Sequence, residues 1–156
     1  MLPELYAQQV AKYRGRERLT LVTVPVVNAL WNDLVHCAPI HPRVIYRALA
    51  NVGIERGSDT FFKIPVSQLE GMSVVWFDPW VDPARGDYPF PLDERDVTLF
   101  DRASYRELTQ LPARTVRYYE QARKGGRRPL LYQFVPHVLV HGSIDVADVE
   151  VIDWKD

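Results

Sequence analysis

The sequence predicts an α+β fold with a mixed or largely antiparallel sheet and short helices. Three observations carry this. Runs rich in β-branched and aromatic residues at 19–27, 73–77 and 130–140 read as strands. Apolar residues at helical spacing occur only in brief windows between them, and strict strand–helix alternation is absent. With 156 residues and no internal repeat, the chain reads as a single domain over 1–156, long enough to bury a core without disulfides.

The run at 130–140 is the expected centre of the fold, a strand buried on both faces or kinked at Pro136, with both neighbours supplied by earlier chain. A turn after His141-Gly-Ser leads to a closing strand over 149–154. From the start, Leu2, Leu5, Tyr6, Val10 and Tyr13 predict a helix ending near Gly15. A buried strand follows at 19–27, ending near Pro25. Asn28 then reads as an N-cap for a helix with Leu30, Trp31, Leu34 and Val35 inward, stopped by Pro39 and Pro42. A second helix is expected over 42–52, closed by Gly53. Short strands are expected at 61–64 and 97–100, with a long loop at 78–93 carrying four prolines. Polar helices are expected from Asp101 through Leu108 and over 113–122, the latter ending at Gly125-Gly126.

Composition bounds the function more loosely. Nearly half the residues are apolar and the net charge is −1, so whole-molecule electrostatics favour no partner. No apolar run is long enough to span a membrane, and the N-terminus lacks the basic start and apolar centre of a secretory signal. One cysteine, Cys37, permits no internal disulfide. Together these point to a cytoplasmic protein with no membrane partner.

Three groups of residues are candidates for chemistry. The segment 114–128 has six positive charges against one negative. With Tyr118 and Tyr119 beside them, Arg123, Lys124, Arg127 and Arg128 suit a phosphate backbone or unpaired bases, although a solvated helix face has the same composition. In the 78–93 loop, Trp80 and Tyr88 sit among carboxylates, a combination that suits stacking on a sugar, base or peptide, or else a proline-stiffened lid. The four histidines fall into two pairs, His36 with His41 and His137 with His141. Strand residues four apart are separated by about 13 Å, so His137 and His141 do not share a metal, and no metal centre is expected from the histidines. A third reading would use Asp78, Asp82 and Asp87 to hold a divalent cation for hydrolysis. No P-loop, dinucleotide fingerprint, nucleophile elbow or HExxH motif occurs.

The segment Asp96-Val-Thr-Leu-Phe-Asp-Arg-Ala103, the basic run with Arg127-Arg128, and Val138-Leu-Val-His-Gly-Ser-Ile144 together resemble the last half of DarT-type ADP-ribosyltransferases. Leu21-Val-Thr-Val-Pro-Val-Val-Asn-Ala-Leu30 is similar to that family's opening strand and helix, with Thr23 and Asn28 in matching places. The resemblance implies an ADP-ribosyltransferase-like fold and NAD as the donor. It further implies ADP-ribose transfer to single-stranded nucleic acid or a nucleotide, and an antitoxin or other protein partner. Thr23 and Tyr46 would line the NAD cleft between 19–24 and 132–140, with His137 at the catalytic place and Arg127 and Arg128 on substrate phosphates. The sequence departs from the family there. His137 stands where the family has its catalytic glutamate, and Val22 where it has a histidine that helps hold NAD. A neutral imidazole stabilises an oxocarbenium-like charge poorly. The alternative is a non-catalytic α+β module that binds nucleic acid or a partner protein.

Overall fold

The computed structural model describes residues 17–156 together with residues 11, 14 and 15, so most of the predicted N-terminal helix lies outside the described residues. The described strands are β1 (Thr23–Val24), β2 (Ala29–Leu30), β3 (Leu34–Cys37), β4 (Thr60–Lys63), β5 (Ser73–Phe77), β6 (Val97–Leu99), β7 (His137–His141) and β8 (Glu150–Asp153). The two longer helices are α1 (Pro42–Asn51) and α2 (Ala113–Lys124). β7 is central in a four-stranded sheet of order β3-β7-β5-β6. Every strand pair is antiparallel, and a lone parallel bridge joins Ile40 to Leu108. The α+β expectation therefore holds, and the predicted core strand does take both neighbours from earlier chain.

The sheet buries both faces because its side chains alternate. On one face Val75, Phe77, Val97 and Leu139 pack with Leu34 beneath the β1–β2 hairpin, whose Val24 and Ala29 point inward. On the other, Val74, Val138 and Val140 pack with Leu69, Met72 and Ile144. A third cluster gathers α1, α2 and the β4–β8 ribbon around Trp154, with Ile45, Leu49, Tyr119 and Val135 fully enclosed. The Trp154 indole N–H donates to the Gly57 carbonyl at 2.9 Å, so the buried ring leaves no polar atom unsatisfied.

Both helices end as their glycines predict. After α1, the Gly53 N–H donates to Ala50 and the Ile54 N–H to Leu49, with Gly53 at φ 77°. After α2, the Gly126 N–H donates to Arg123 and the Arg127 N–H to Ala122, with Gly126 at φ 62°. These are Schellman closures, which place glycine in the left-handed region. The Arg123 Nε then donates to the Gly53 carbonyl at 3.1 Å, fastening one helix end to the other.

Four expected elements differ. The run at 19–27 is not one strand: Glu17–Leu21 is a 3₁₀ turn, and the chain reverses at residues 25–28 to make the β1–β2 hairpin. The Val27 N–H donates to the Pro25 carbonyl around Val26 at φ 69°, and Asn28 sits at φ 50°, tolerating the left-handed region rather than capping a helix. The helix expected over Leu30, Trp31, Leu34 and Val35 is instead a 3₁₀ turn at Trp31–Asp33 followed by β3, because β7 offers this short apolar run a full ladder. The helix expected from Asp101 is a turn. The Asp101 carboxylate accepts from the Ala103 N–H and the Ser104 hydroxyl, a local alternative to helical bonding. Only 137–141 of the run 130–140 is strand. Two of the preceding carbonyls are satisfied by α2 side chains, Gln133 by the Thr115 hydroxyl and Leu131 by the Tyr119 hydroxyl, and two more by turn N–H groups.

Trp154→Ala should cost about 3–5 kcal/mol through the cavity and the lost hydrogen bond. At about 2–4 °C per kcal/mol for a chain of this size, the thermal midpoint should fall by roughly 6–20 °C. Differential scanning calorimetry checks it.

Candidate functional site

Two arrangements carry polar chemistry, an aromatic cluster at the start of β7 and the basic end of α2. In the first, the register places His137 opposite Phe77, with ring centroids 6.2 Å apart on one face of the sheet. His36, two residues further along that face on β3, stands 6.0 Å from His137. Trp31 meets His36, Phe77 and Phe90 edge-on at 4.5, 5.1 and 5.3 Å. Trp80 closes the other side, 5.9 Å from Phe77 and 5.5 Å from Phe134.

The 78–93 loop that brings Trp80 and Phe90 here is tied down by charge. The Arg85 guanidinium donates to the Pro89 and Pro91 carbonyls and pairs with the buried Asp96 at 2.7 Å. Arg114 donates to the Arg85 carbonyl and pairs with Asp87 at 2.9 Å, its guanidinium lying 4.4 Å from the centre of the Phe134 ring. Asp96 also accepts from the Asp93 N–H in a reciprocal cap, and the Arg95 hydrogen bonds pull the Asp93 carboxyl down to about 2.

Burial pushes the His137 imidazole down to about 4, with the neighbouring His36 adding to the shift. His137 is therefore neutral near pH 7. Desolvation among the aromatic rings lowers His36 too, although its Nε2 lies 3.0 Å from the Trp31 carbonyl. A carbonyl only accepts, so that nitrogen carries a proton. Asp78, one residue past Phe77, is raised by burial, against the Trp80 N–H it accepts from, and by the nearby Asp96. Two buried ring nitrogens in this cluster, His137 Nδ1 and Trp80 Nε1, have no hydrogen-bond partner among the described residues.

The residues expected to share an NAD cleft are dispersed. Thr23 lies exposed on the β1–β2 hairpin. Tyr46 belongs to the helical cluster, 5.5 Å from Trp154 and 5.9 Å from the Lys155 ammonium. Between the hairpin and β7, where the cleft was expected, Val24, Ala29 and Leu139 belong to one buried core cluster. Of the two loop aromatics, Trp80 packs inward, while Tyr88 stays half exposed with the Arg18 guanidinium 5.1 Å from its ring centre. The three aspartates of the hydrolase reading serve the loop itself: Asp78 accepts from Trp80, Asp82 from Ala84, and Asp87 pairs with Arg114. Among the described residues no group of three His, Cys, Asp or Glu side chains is placed to hold a metal ion.

At the basic end, Lys124, Arg127 and Arg128 are exposed and form no ion pair among the described residues, whereas Arg123 is engaged with Gly53. Sequence reasoning missed Trp31, Phe77 and Phe134 as companions of His137. Their only signal was aromatic character, since Phe77 lies 60 residues before His137 and Trp31 further still. Comparison with known proteins returns no matching family model, curated protein or solved structure.

The folded imidazole of His137 titrates at about 4 and the unfolded one near 6.5. As pH falls through that window the unfolded chain binds the extra proton, so stability is lost between about 6.5 and 4. His137→Phe should flatten that part of the pH–stability profile, measured by urea denaturation, and a profile as steep as the parent's would contradict the assignment.

Proposed function

We propose that this chain is an α+β binding module that contacts single-stranded nucleic acid through the basic end of α2. The observation that carries the reading is the set of exposed cations at the end of α2 and just past it, Lys124, Arg127 and Arg128, which form no ion pair among the described residues, where the chain is closed by hydrogen bonds. A fixed backbone lowers the entropy lost on binding, and guanidinium groups match phosphate geometry. Arg123 supports this end by holding Gly53 rather than by meeting a ligand.

Replacing Lys124, Arg127 and Arg128 together with Ala, and leaving Arg123 in place, should weaken retention on single-stranded DNA or RNA by at least tenfold. If all three meet phosphates, the slope of log affinity against log salt should become shallower by about 2. Fluorescence anisotropy at several salt concentrations measures both, and an unchanged slope would remove the reading.

A second reading, an NAD-using ADP-ribosyltransferase acting on a nucleic acid or nucleotide within a toxin–antitoxin pair, is favoured by one observation. His137 Nδ1 and Trp80 Nε1, without a partner among the described residues, lie in an aromatic cluster of the kind that accepts a planar ring bearing an amide. The same residues do not fit the charge-stabilising part of that reaction. A neutral His137 supplies no negative charge, and Asp78, the nearest carboxylate along the strand, is committed to the Trp80 N–H. Saturating NAD, at a hundred times its dissociation constant, stabilises a folded protein by about 2.7 kcal/mol. A thermal shift of several degrees with NAD, lost in His137→Phe, is the outcome this reading requires, and an unmoved midpoint rejects it.

A further inference from the structure

β6 is the edge of the four-stranded sheet, and its free side is open in a particular way. The Asp78 N–H donates to the Asp96 carbonyl at 2.9 Å and the Phe100 N–H to the Val74 carbonyl at 3.1 Å. In an antiparallel ladder the bonded residues alternate, so 96, 98 and 100 face β5 while Val97 and Leu99 turn their backbone groups outward. The Val97 N–H is taken by the Glu94 carbonyl. The Val97 carbonyl and both backbone groups of Leu99 have no protein partner among the described residues. The Leu99 side chain is 76 % exposed, on a strand that otherwise closes a buried face.

Two shallow clefts flank this edge, and both include Leu99 and Phe100. One, of about 400 Å³, is lined by Val26, Met72, Val75 and Arg102. The other, of about 310 Å³, is lined by Trp76, Thr98, Tyr105 and Arg106. The first wraps the end of the edge, taking Val75 from one face and Leu69, Met72 and Val74 from the other, so a strand added along β6 has apolar surface within reach at Leu99. Arg102 and Arg106 are exposed and form no ion pair among the described residues. Arg106 is oriented by the Ala103 and Tyr105 carbonyls, and Asp101, the one acid beside it in the cleft, is occupied by Ser104 and Ala103.

We infer that the outer edge of β6 accepts an extended segment of a partner protein, with apolar side chains entering the clefts beside Leu99 and carboxylates meeting Arg102 and Arg106. The backbone of that segment bonds to Leu99 and to the Val97 carbonyl. A second copy of this chain is a poorer match, since it would bring its own Arg102 and Arg106 to the same short edge. The surface is separate from the cations at the end of α2, so a result at either leaves the other standing.

Panning a display library of short random peptides on the full chain, followed by anisotropy with the enriched peptides, tests this. Leu99→Pro removes the outward N–H without touching a bond to β5, a place where an edge strand tolerates proline. Arg102→Glu with Arg106→Glu reverses the cleft charge and serves if the proline variant fails to fold. The expected peptides carry apolar residues flanked by acids and bind each variant at least tenfold more weakly than the parent. No enrichment, or peptides that bind the parent and both variants equally, would overturn the inference. So would a concentration-dependent dimer of the chain alone that Leu99→Pro abolishes, because the edge would then belong to a second copy.

Discussion

β7 is hydrogen-bonded along both of its edges, to β3 from Leu34 to Cys37 and to β5 from Ser73 to Phe77. Val138, Leu139 and Val140 must therefore each satisfy two ladders and one of two packed faces at once. Val138 and Val140 go to one core, Leu139 to the other, and none of the three leaves room for a polar side chain. Both ends of the strand carry histidine: His137 has no partner on β3, and the side chain of His141 is exposed. His137 is polar because it sits where the sheet's inner face gives way to the 78–93 loop.

That position explains why the same loop is so heavily braced. Arg85 and Arg114 reach carbonyls and carboxylates from within and beside the loop, so a proline-rich stretch with little regular structure still holds Trp80 and Phe90 against the sheet. The aromatic cluster is thus a joint product of a local strand pattern and charge pairing between distant residues. The cations at the end of α2 depend on something simpler, two glycine closures and one arginine between them.

Much of the framework was legible because it is local. Ser73–Phe77 is short, β-branched and aromatic; α1 has Pro42 at its first turn and Gly53 past its end; α2 stops at the paired glycines. The misread segments are those where periodicity is ambiguous and partners are remote. Leu30, Trp31, Leu34 and Val35 match a helical stripe, but β7 lies a hundred residues away and decides for strand. Residues 130–136 are as apolar as a strand, yet the hydroxyls of Thr115 and Tyr119 take two of their carbonyls. For the candidate site, the basic run was placed from sequence, while the neighbours of His137 were not. Thr23, Tyr46 and His137 were grouped through a resemblance, and they occupy three different surroundings.

The placement of β7 also sets an order in time during synthesis. β3 and β5 do not pair with each other, and each waits for the strand that belongs between them. From Phe77 to His137 is 60 residues, which a ribosome adding about 5–20 residues per second covers in roughly 3–12 s. During that interval a nascent chain holds two apolar strands with unsatisfied edges, while α1, built from local contacts, is free to form. A pause in synthesis between those two strands therefore prolongs the exposure of edges that β7 alone covers.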